Sequence, residues 1–310
     1  MDFQHTSVLL AETVAALVTD PAGIYVDCTL GGGGHAAAVA GRLSPSAWFI
    51  GIDQDPAALK AAQTRLRNAP CRVTVVHSNF TSLGDVLDDL GVPAVTGILF
   101  DLGVSSHQLD IAERGFSYMQ DGPLDMRMNP AGVLTAHEIV NTWDEARLTK
   151  IIFDYGEERW AKKIARTIVA ERARRPLRTT GELAETIKKA IPAAARREGP
   201  HPAKRTFQAI RIAVNDELGI LRAALETAAQ RLVPGGRLCV ITFHSLEDRI
   251  AKQTIQDLAK GCLCPKDFPM CVCGNTPKVR ALGKPVPPSP AELEANPRSR
   301  SAKLRVAEKV

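Results

Sequence analysis

An acid at the end of a β-branched apolar run, followed almost at once by four glycines, is the pattern in this chain with the most direct chemical meaning. Ile24-Tyr25-Val26-Asp27-Cys28 leads through Thr29 and Leu30 into Gly31-Gly32-Gly33-Gly34-His35. Glycine lets the backbone turn tightly and lie against a ligand, so a cofactor is expected over this turn. The pattern is ambiguous by itself, because Gly31, Gly33 and Ala36 also satisfy the dinucleotide fingerprint G-x-G-x-x-A. Asp53 closes the next apolar run, Trp48 to Asp53, and is well placed to accept hydrogen bonds from both hydroxyls of a ribose. That serves a nicotinamide dinucleotide and an adenosyl nucleoside equally.

Two further groups could do chemistry. Four of the seven cysteines form close pairs, Cys262-x-Cys264 and Cys271-x-Cys273. Four thiolates suit tetrahedral zinc, but the usual pairs are separated by two or more residues, so a structural zinc site and unliganded loop thiols both remain open. Between Arg159 and Arg205 there are 14 basic residues against Glu171, Glu182, Glu185 and Glu198, which leaves the rest of the chain net acidic. Segregated positive charge suits a polyanion, with Arg174 and Arg175 as candidate contacts; a pair of solvated Arg-rich helices is the competing reading.

The elements that must position these residues alternate along the first third of the chain. Strands are expected at Ile24–Cys28, Trp48–Asp53, Val73–His77 and Gly97–Asp101, with helices at His35–Leu43 and Pro56–Leu66. This is the rhythm of βαβ units, hence a mostly parallel sheet in an α/β Rossmann-like fold. The next strand, Arg237–Phe243, comes more than 130 residues after Asp101; between them Trp143–Phe153, Trp160–Arg175, Gly181–Ala190 and Phe207–Arg231 have helical spacing. We therefore expect a sheet domain in two parts, 1–110 and 213–310, interrupted by a helical substrate-binding domain at 111–212, with Lys303–Ala307 as a last edge strand.

Composition agrees with a folded protein: 310 residues, 45% hydrophobic and 24% charged, which excludes disordered and fibrous classes. Seven cysteines are too few for a disulfide scaffold. No run of eighteen apolar residues occurs, and Asp2, His5, Glu12 and Asp20 interrupt the N-terminus without a cleavable signal pattern, so a cytoplasmic protein with no membrane partner is expected.

Two features separate the cofactor readings. Leu232 to Leu238 reads as a helix end, a Pro-Gly-Gly turn and a strand, which resembles the approach to the fifth strand in class I methyltransferases. A sulfonium cofactor also lacks a pyrophosphate, so an acid such as Asp27 near the turn is tolerable. The resemblance then becomes specific. His5-Thr6-Ser7-Val8-Leu9-Leu10, Gly31 to His35, Asp101-Leu102-Gly103-Val104-Ser105-Ser106, Glu113-Arg114-Gly115-Phe116-Ser117, Gly122 to Met128, Tyr155-Gly156-Glu157-Glu158-Arg159, Arg205-Thr206-Phe207-Gln208-Ala209 and Phe243 to Arg249 resemble, in order, the motifs of the bacterial small-subunit rRNA cytosine-N4 methyltransferase family. That resemblance implies S-adenosylmethionine as cofactor and a cytidine of the ribosomal decoding region, within small-subunit rRNA or a ribosomal particle, as substrate. It also implies that Gly33, Gly34, His35, Asp53, Phe80, Asp101 and Gln108 contact the cofactor. From the residues alone, Phe80 suits the face of an adenine or the core, and His35 suits a ligand or a plain helix start.

The exocyclic amine of cytosine is a poor nucleophile, because its lone pair is delocalised into the ring. Acceptors for its hydrogens and in-line placement of a methyl donor are what a site must supply. Asp101, at the end of the fourth strand, is the first candidate, although amino methyltransferases usually follow this position with Pro-Pro and an aromatic, where this chain has Leu102-Gly103-Val104. His244 and Ser245, after the Arg237–Phe243 strand, are candidate contacts to the target base, Ser245 alternatively capping a helix. Asp125 and Arg127 are candidates for positioning the nucleotide, or else a surface ion pair. A nicotinamide dehydrogenase and a non-catalytic RNA-binding assembly factor are the competing functions.

Overall fold

Runs that are apolar on both faces need cover on both faces, and they form the centre of a single sheet. The computed structural model describes residues 7–196, 199, 201–265, 270 and 272–310. Its strands are β1 (Ile24–Asp27), β2 (Trp48–Asp53), β3 (Arg72–His77), β4 (Val95–Asp101), β5 (Leu232–Thr242), β6 (Val279–Ala281) and β7 (Lys303–Lys309). They lie in the order β3-β2-β1-β4-β5-β7-β6. The first five are parallel, and β7 runs antiparallel to both β5 and β6. This is the expected α/β Rossmann-like architecture with a mostly parallel sheet.

Two compact units divide the chain: Met1–Gly103 with Leu218–Val310, and Val104–Glu217. The sheet unit carries α1 (Leu10–Leu17), α2 (Gly34–Ala40), α3 (Pro56–Arg65) and α4 (Leu83–Asp89). The second unit is built from α5 (Ser106–Asp110), α6 (Ala136–Thr142), α7 (Glu145–Asp154), α8 (Ala161–Arg172), α9 (Thr180–Ala190), α10 (Ala193–Arg196) and α11 (Lys204–Asn215). After it the sheet unit resumes with α12 (Leu221–Gln230), α13 (Ser245–Leu258) and α14 (Pro290–Ala295). Each unit has its own core: Val26, Ile50, Ile98 and Val240 are buried in the sheet unit, and Ile139, Leu148, Ile164, Leu183 and Ile210 in the helical one. Among the described residues no helix is long and apolar enough to cross a membrane.

Four local expectations are corrected. The helix expected over Phe207–Arg231 is two, α11 and α12, broken at Asp216, which takes a left-handed conformation (φ 49°). The adjacent Arg211–Glu217 pair, with both guanidinium contacts at 2.8 Å, supports that corner. Pro234-Gly235-Gly236 is not a turn before a strand but a bulge inside β5: Leu232 already pairs with Val95, and the register resumes at Gly97 and Arg237. Gly236 is required there, since a Cβ would lie 2.8 Å from the Val233 carbonyl oxygen. The C-terminal strand is not at the edge, because β6 covers it. Finally, α8 ends at Arg172, so Arg174 and Arg175 lie in the turn beyond it.

Candidate functional site

The parallel strands all present their carboxyl ends on one rim, and the strand order reverses between β1 and β4, which is where open α/β sheets bind ligands. At that rim β1, β2 and β4 end in Asp27, Asp53 and Asp101. The glycine turn joins them. Gly33 adopts φ +75°, a conformation that strains side-chain-bearing residues. A Cβ there would also press on Ala62 of α3, and one at Gly34 would meet the Ser7 hydroxyl at 2.0 Å. These two glycines therefore admit close neighbours, while Gly32 has open space within 4 Å of where its Cβ would be. Gly32 is the position at which bare backbone faces outward, and nothing in the four-glycine pattern distinguishes it from its neighbours.

Asp53 is fixed by backbone donors: Gly31 N–H to Oδ2 at 2.7 Å, Asp55 N–H to Oδ1 at 2.8 Å, and the Gln54 amide. Burial pushes its carboxyl above the ordinary value of 3.8, against these same hydrogen bonds. A carboxylate has about four lone-pair sites, so acceptor capacity remains for a further donor such as a ribose hydroxyl. Phe80 sits in the short turn after β3, half-buried, with its ring edge-on to Phe100 at 5.7 Å between centroids.

Asp27 and Asp101 are linked through Thr29. The Thr29 amide donates to Asp27 Oδ1 at 3.0 Å, and the Asp101 amide donates to the Thr29 hydroxyl oxygen at 2.6 Å. His35 is nearly fully buried, with Nε2 3.0 Å from the Val8 carbonyl oxygen and Nδ1 3.3 Å from Asp101 Oδ2. Leu9, left-handed at φ 55°, turns the chain immediately after Val8, and its amide donates to Glu292 at 2.7 Å. His35 thus fixes Asp101 rather than facing open space. The other Asp101 oxygen, Oδ1, is buried and has no hydrogen-bond partner among the described residues. A buried acceptor left without a donor is costly, and one at a ligand-binding rim marks where a ligand's N–H or O–H fits.

The charges at the rim are coupled. Burial raises Asp27 to about 7, opposed by the His35 charge and the Thr29 amide and reinforced by Asp101 and Asp53. Burial by itself would lower His35, but its hydrogen bond to Asp101, the charges of Asp101 and Asp27 and the Val8 carbonyl outweigh this and raise it. Asp27 consequently holds its proton in the fold over a range in which an unfolded aspartate has lost it. Between about pH 4 and 7 Asp27 is more protonated in the native chain than in the unfolded one, so its own contribution makes stability fall as pH rises. His35 adds in the same sense, since the stability from its raised value is lost as pH rises through it. Asp27→Asn is expected to flatten the unfolding free energy against pH in this window; equal slopes for variant and parent, in urea titrations, would contradict the assignment.

At the carboxyl end of β5, His244 is the N-cap residue of α13 and Ser245 its first helical residue, so Ser245 is not the cap considered above. Glu247, 2% exposed, takes the Phe243 and His244 amides at 2.9 and 3.3 Å and lies 3.1 Å from His244 Nε2. Sequence reasoning missed Glu247, although a Glu three residues after a cap is a recognisable signal.

The remaining candidates belong to the helical unit. Gln108 is buried in a capping box, its Oε1 accepting the Ser105 amide at 3.1 Å. Asp125 and Arg127 form a bidentate pair at 2.9 and 2.6 Å, with Arg127 Nη1 also donating to the Gly132 carbonyl at 2.8 Å. Arg175 pairs with Glu182, whereas Arg174 is exposed with no acidic partner among the described residues, as are Arg159, Lys162 and Lys163 of the same basic stretch. Cys262, Cys264 and Cys273 gather in the segment after α13; Cys271 lies outside the described residues.

The MraW methylase family matches residues 2–310 of this chain. A protein of Brevibacillus brevis named ribosomal RNA small subunit methyltransferase H is 57% identical over 311 residues, covering 100% of this chain and 99% of its own. A protein of the same name from Symbiobacterium thermophilum is 58% identical, covering 100% and 98%. Among solved structures, an rRNA methylase from Streptococcus thermophilus aligns over 97% of this chain and 93% of its own at 12% identity, with a TM-score of 0.42.

Proposed function

This chain belongs to the MraW methylase family, an S-adenosylmethionine-dependent methyltransferase of ribosomal RNA, and from that premise we propose that it methylates the exocyclic N4 amine of a cytidine in the decoding region of the small subunit. The nicotinamide reading that the glycine pattern left open falls with the family. The observation that carries the finer proposal is the unpartnered Asp101 Oδ1 at the switch point of the sheet. It is an acceptor without a donor where an amine must be held.

The residues present fit S-adenosylmethionine: an open backbone face at Gly32, spare acceptor capacity on Asp53, and acids at the ends of β1, β2 and β4 that suit a sulfonium cation better than a pyrophosphate. When bound, this cofactor supplies an electrophilic methyl group on a sulfonium. Asp53 would accept a ribose hydroxyl, and Phe80 would lie against the adenine. Asp101 Oδ1 accepts an N–H of the target amine, drawing its nitrogen toward tetrahedral geometry, while His35 keeps the carboxylate from rotating away. No strong base is needed, because the methylated ammonium is itself a strong acid. His244 and Ser245 contact the target base. The base must be unstacked to reach the rim, and Asp125, Arg127, Arg174 and Arg175 hold the surrounding nucleotides.

The cofactor assignment is tested by calorimetry with S-adenosylmethionine and with NAD: heat from the first and none from the second is expected, and the reverse would overturn it. The RNA face is tested separately. Arg174→Glu combined with Lys162→Glu is expected to weaken RNA binding and to reduce the slope of log K against log salt by about 2, about one per lost phosphate contact, with cofactor affinity unchanged. Unaltered RNA affinity would remove this face from the substrate site. Arg175 is the poorer test, since reversing it sets a like charge beside Glu182.

A further inference from the structure

We propose that the segment between α13 and β6 binds a structural zinc ion through Cys262, Cys264 and Cys273. The sulfur atoms of these three residues all lie within 4.8 Å of one another, and those of Cys262 and Cys273 are 3.9 Å apart. Two ligands of tetrahedral zinc, each about 2.3 Å from the ion, are about 3.8 Å apart, so this spacing is that of a metal's shared ligands. It is far beyond the ~2.05 Å of a disulfide.

The backbone around the sulfurs is arranged for anions. The Leu263 amide donates to Cys273 Sγ at 3.2 Å, the Asn275 amide to the same sulfur at 3.5 Å, and the Val272 amide to Cys264 Sγ at 3.3 Å. A neutral thiol is a weak acceptor, whereas a metal-bound thiolate is oriented and stabilised by such second contacts. Gly274, at φ +61°, turns the chain so that the Asn275 amide points back to Cys273. The Asn275 side chain then ties this limb to the other, donating to the carbonyls of Lys260 and Gly261 at 3.0 and 2.7 Å.

Hydrophobic burial does not account for the convergence. None of the described residues between Gly261 and Lys278 is buried, and Leu263 and Val272, beside the sulfurs, are 60% and 72% exposed. A segment without a core of its own needs a staple, and a bound metal is one. The base of the segment is closed by the Lys278 amide on the Leu258 carbonyl at 2.8 Å, immediately before β6. The ion would therefore anchor the edge strand. It lies away from the rim: α13 starts at the rim and its 14 residues span about 21 Å before the cysteines begin. The site is structural, and a fourth coordination position is left beyond the three sulfurs. Binding forms three Zn–S bonds and releases the three thiol protons, with no change of oxidation state.

The test uses the full chain, purified without chelator and then reconstituted with zinc alone. We expect one zinc per chain by mass-spectrometric metal analysis, loss of stoichiometric metal in Cys264→Ser and in Cys273→Ser, and retention in the control Cys71→Ser. Cobalt substitution should give the thiolate-to-metal absorption and ligand-field bands of a tetrahedral site in the parent chain and not in the two variants. S-adenosylmethionine calorimetry on the same variants should match the parent, which establishes that they are folded. Substoichiometric zinc after reconstitution with thiols that titrate freely, a Cys262–Cys273 disulfide in the native chain, or full metal content in both variants would each overturn the proposal.

Discussion

Asp101→Ala is expected to lower kcat/KM for methyl transfer by roughly 10²–10³-fold, the cost of removing one preorganised group aimed at the reacting centre. Among the described residues its surroundings leave one oxygen to hold the amine: the backbone amide is bound to Thr29, Oδ2 faces His35, and Oδ1 has no partner. Asp101→Asn should be nearly as damaging, because an amide that keeps its oxygen toward His35 directs an N–H₂ at the amine, and one turned the other way sets its N–H₂ against the His35 ring. If Asp101 acts on the amine, the loss falls mainly in kcat and the dissociation constant for S-adenosylmethionine changes less. His35→Gln should then show a smaller kcat loss of the same kind, since His35 is a positioning residue. Near-parental kcat in a folded Asp101→Ala chain would return Asp101 to cofactor binding alone.

Asp53→Ala should produce the largest change in cofactor affinity. Hydrogen bonds to a charged group are each worth about 1.5–3 kcal/mol, so losing a ribose contact weakens binding by about 2 kcal/mol, about thirtyfold. The same substitution strips the Gly31 and Asp55 amides of their acceptor and loosens the glycine turn, which adds to the loss. Calorimetry on a chain whose melting has been checked reads this directly; an unchanged dissociation constant would contradict the ribose assignment.

The sequence carried the strand ends well and the contacts between them poorly, for physical reasons. An apolar run that stops at a carboxylate is a local signal, and Asp27, Asp53 and Asp101 do terminate β1, β2 and β4. What His35 does is not local, because its partners Val8 and Asp101 come from distant parts of the chain, and nothing at the helix start announces that the ring is buried between them. The glycines show the same limit. Four in a row identify the turn, but Ala62 crowds Gly33 and Ser7 crowds Gly34 while Gly32 faces open space, and none of this is visible in the pattern. The break at Asp216 was hidden because a left-handed residue other than glycine leaves little trace in helical spacing, and a three-residue strand such as β6 is too short to show a period. The N-terminal motif gains a physical reason only in the fold, where Val8 holds His35 and Ser7 fills the space that Gly34 leaves.

The measurement that reaches the central claim most directly is single-turnover transfer of a labelled methyl group from S-adenosylmethionine to small-subunit RNA or subunits, followed by nucleotide mapping of the product. The account predicts one labelled cytidine in the decoding region, carrying the methyl on N4, with the label strongly diminished when Asp101→Ala replaces the parent chain. Label on a ring carbon, on a ribose oxygen or on another nucleotide, or RNA binding with no transfer at all, would contradict it.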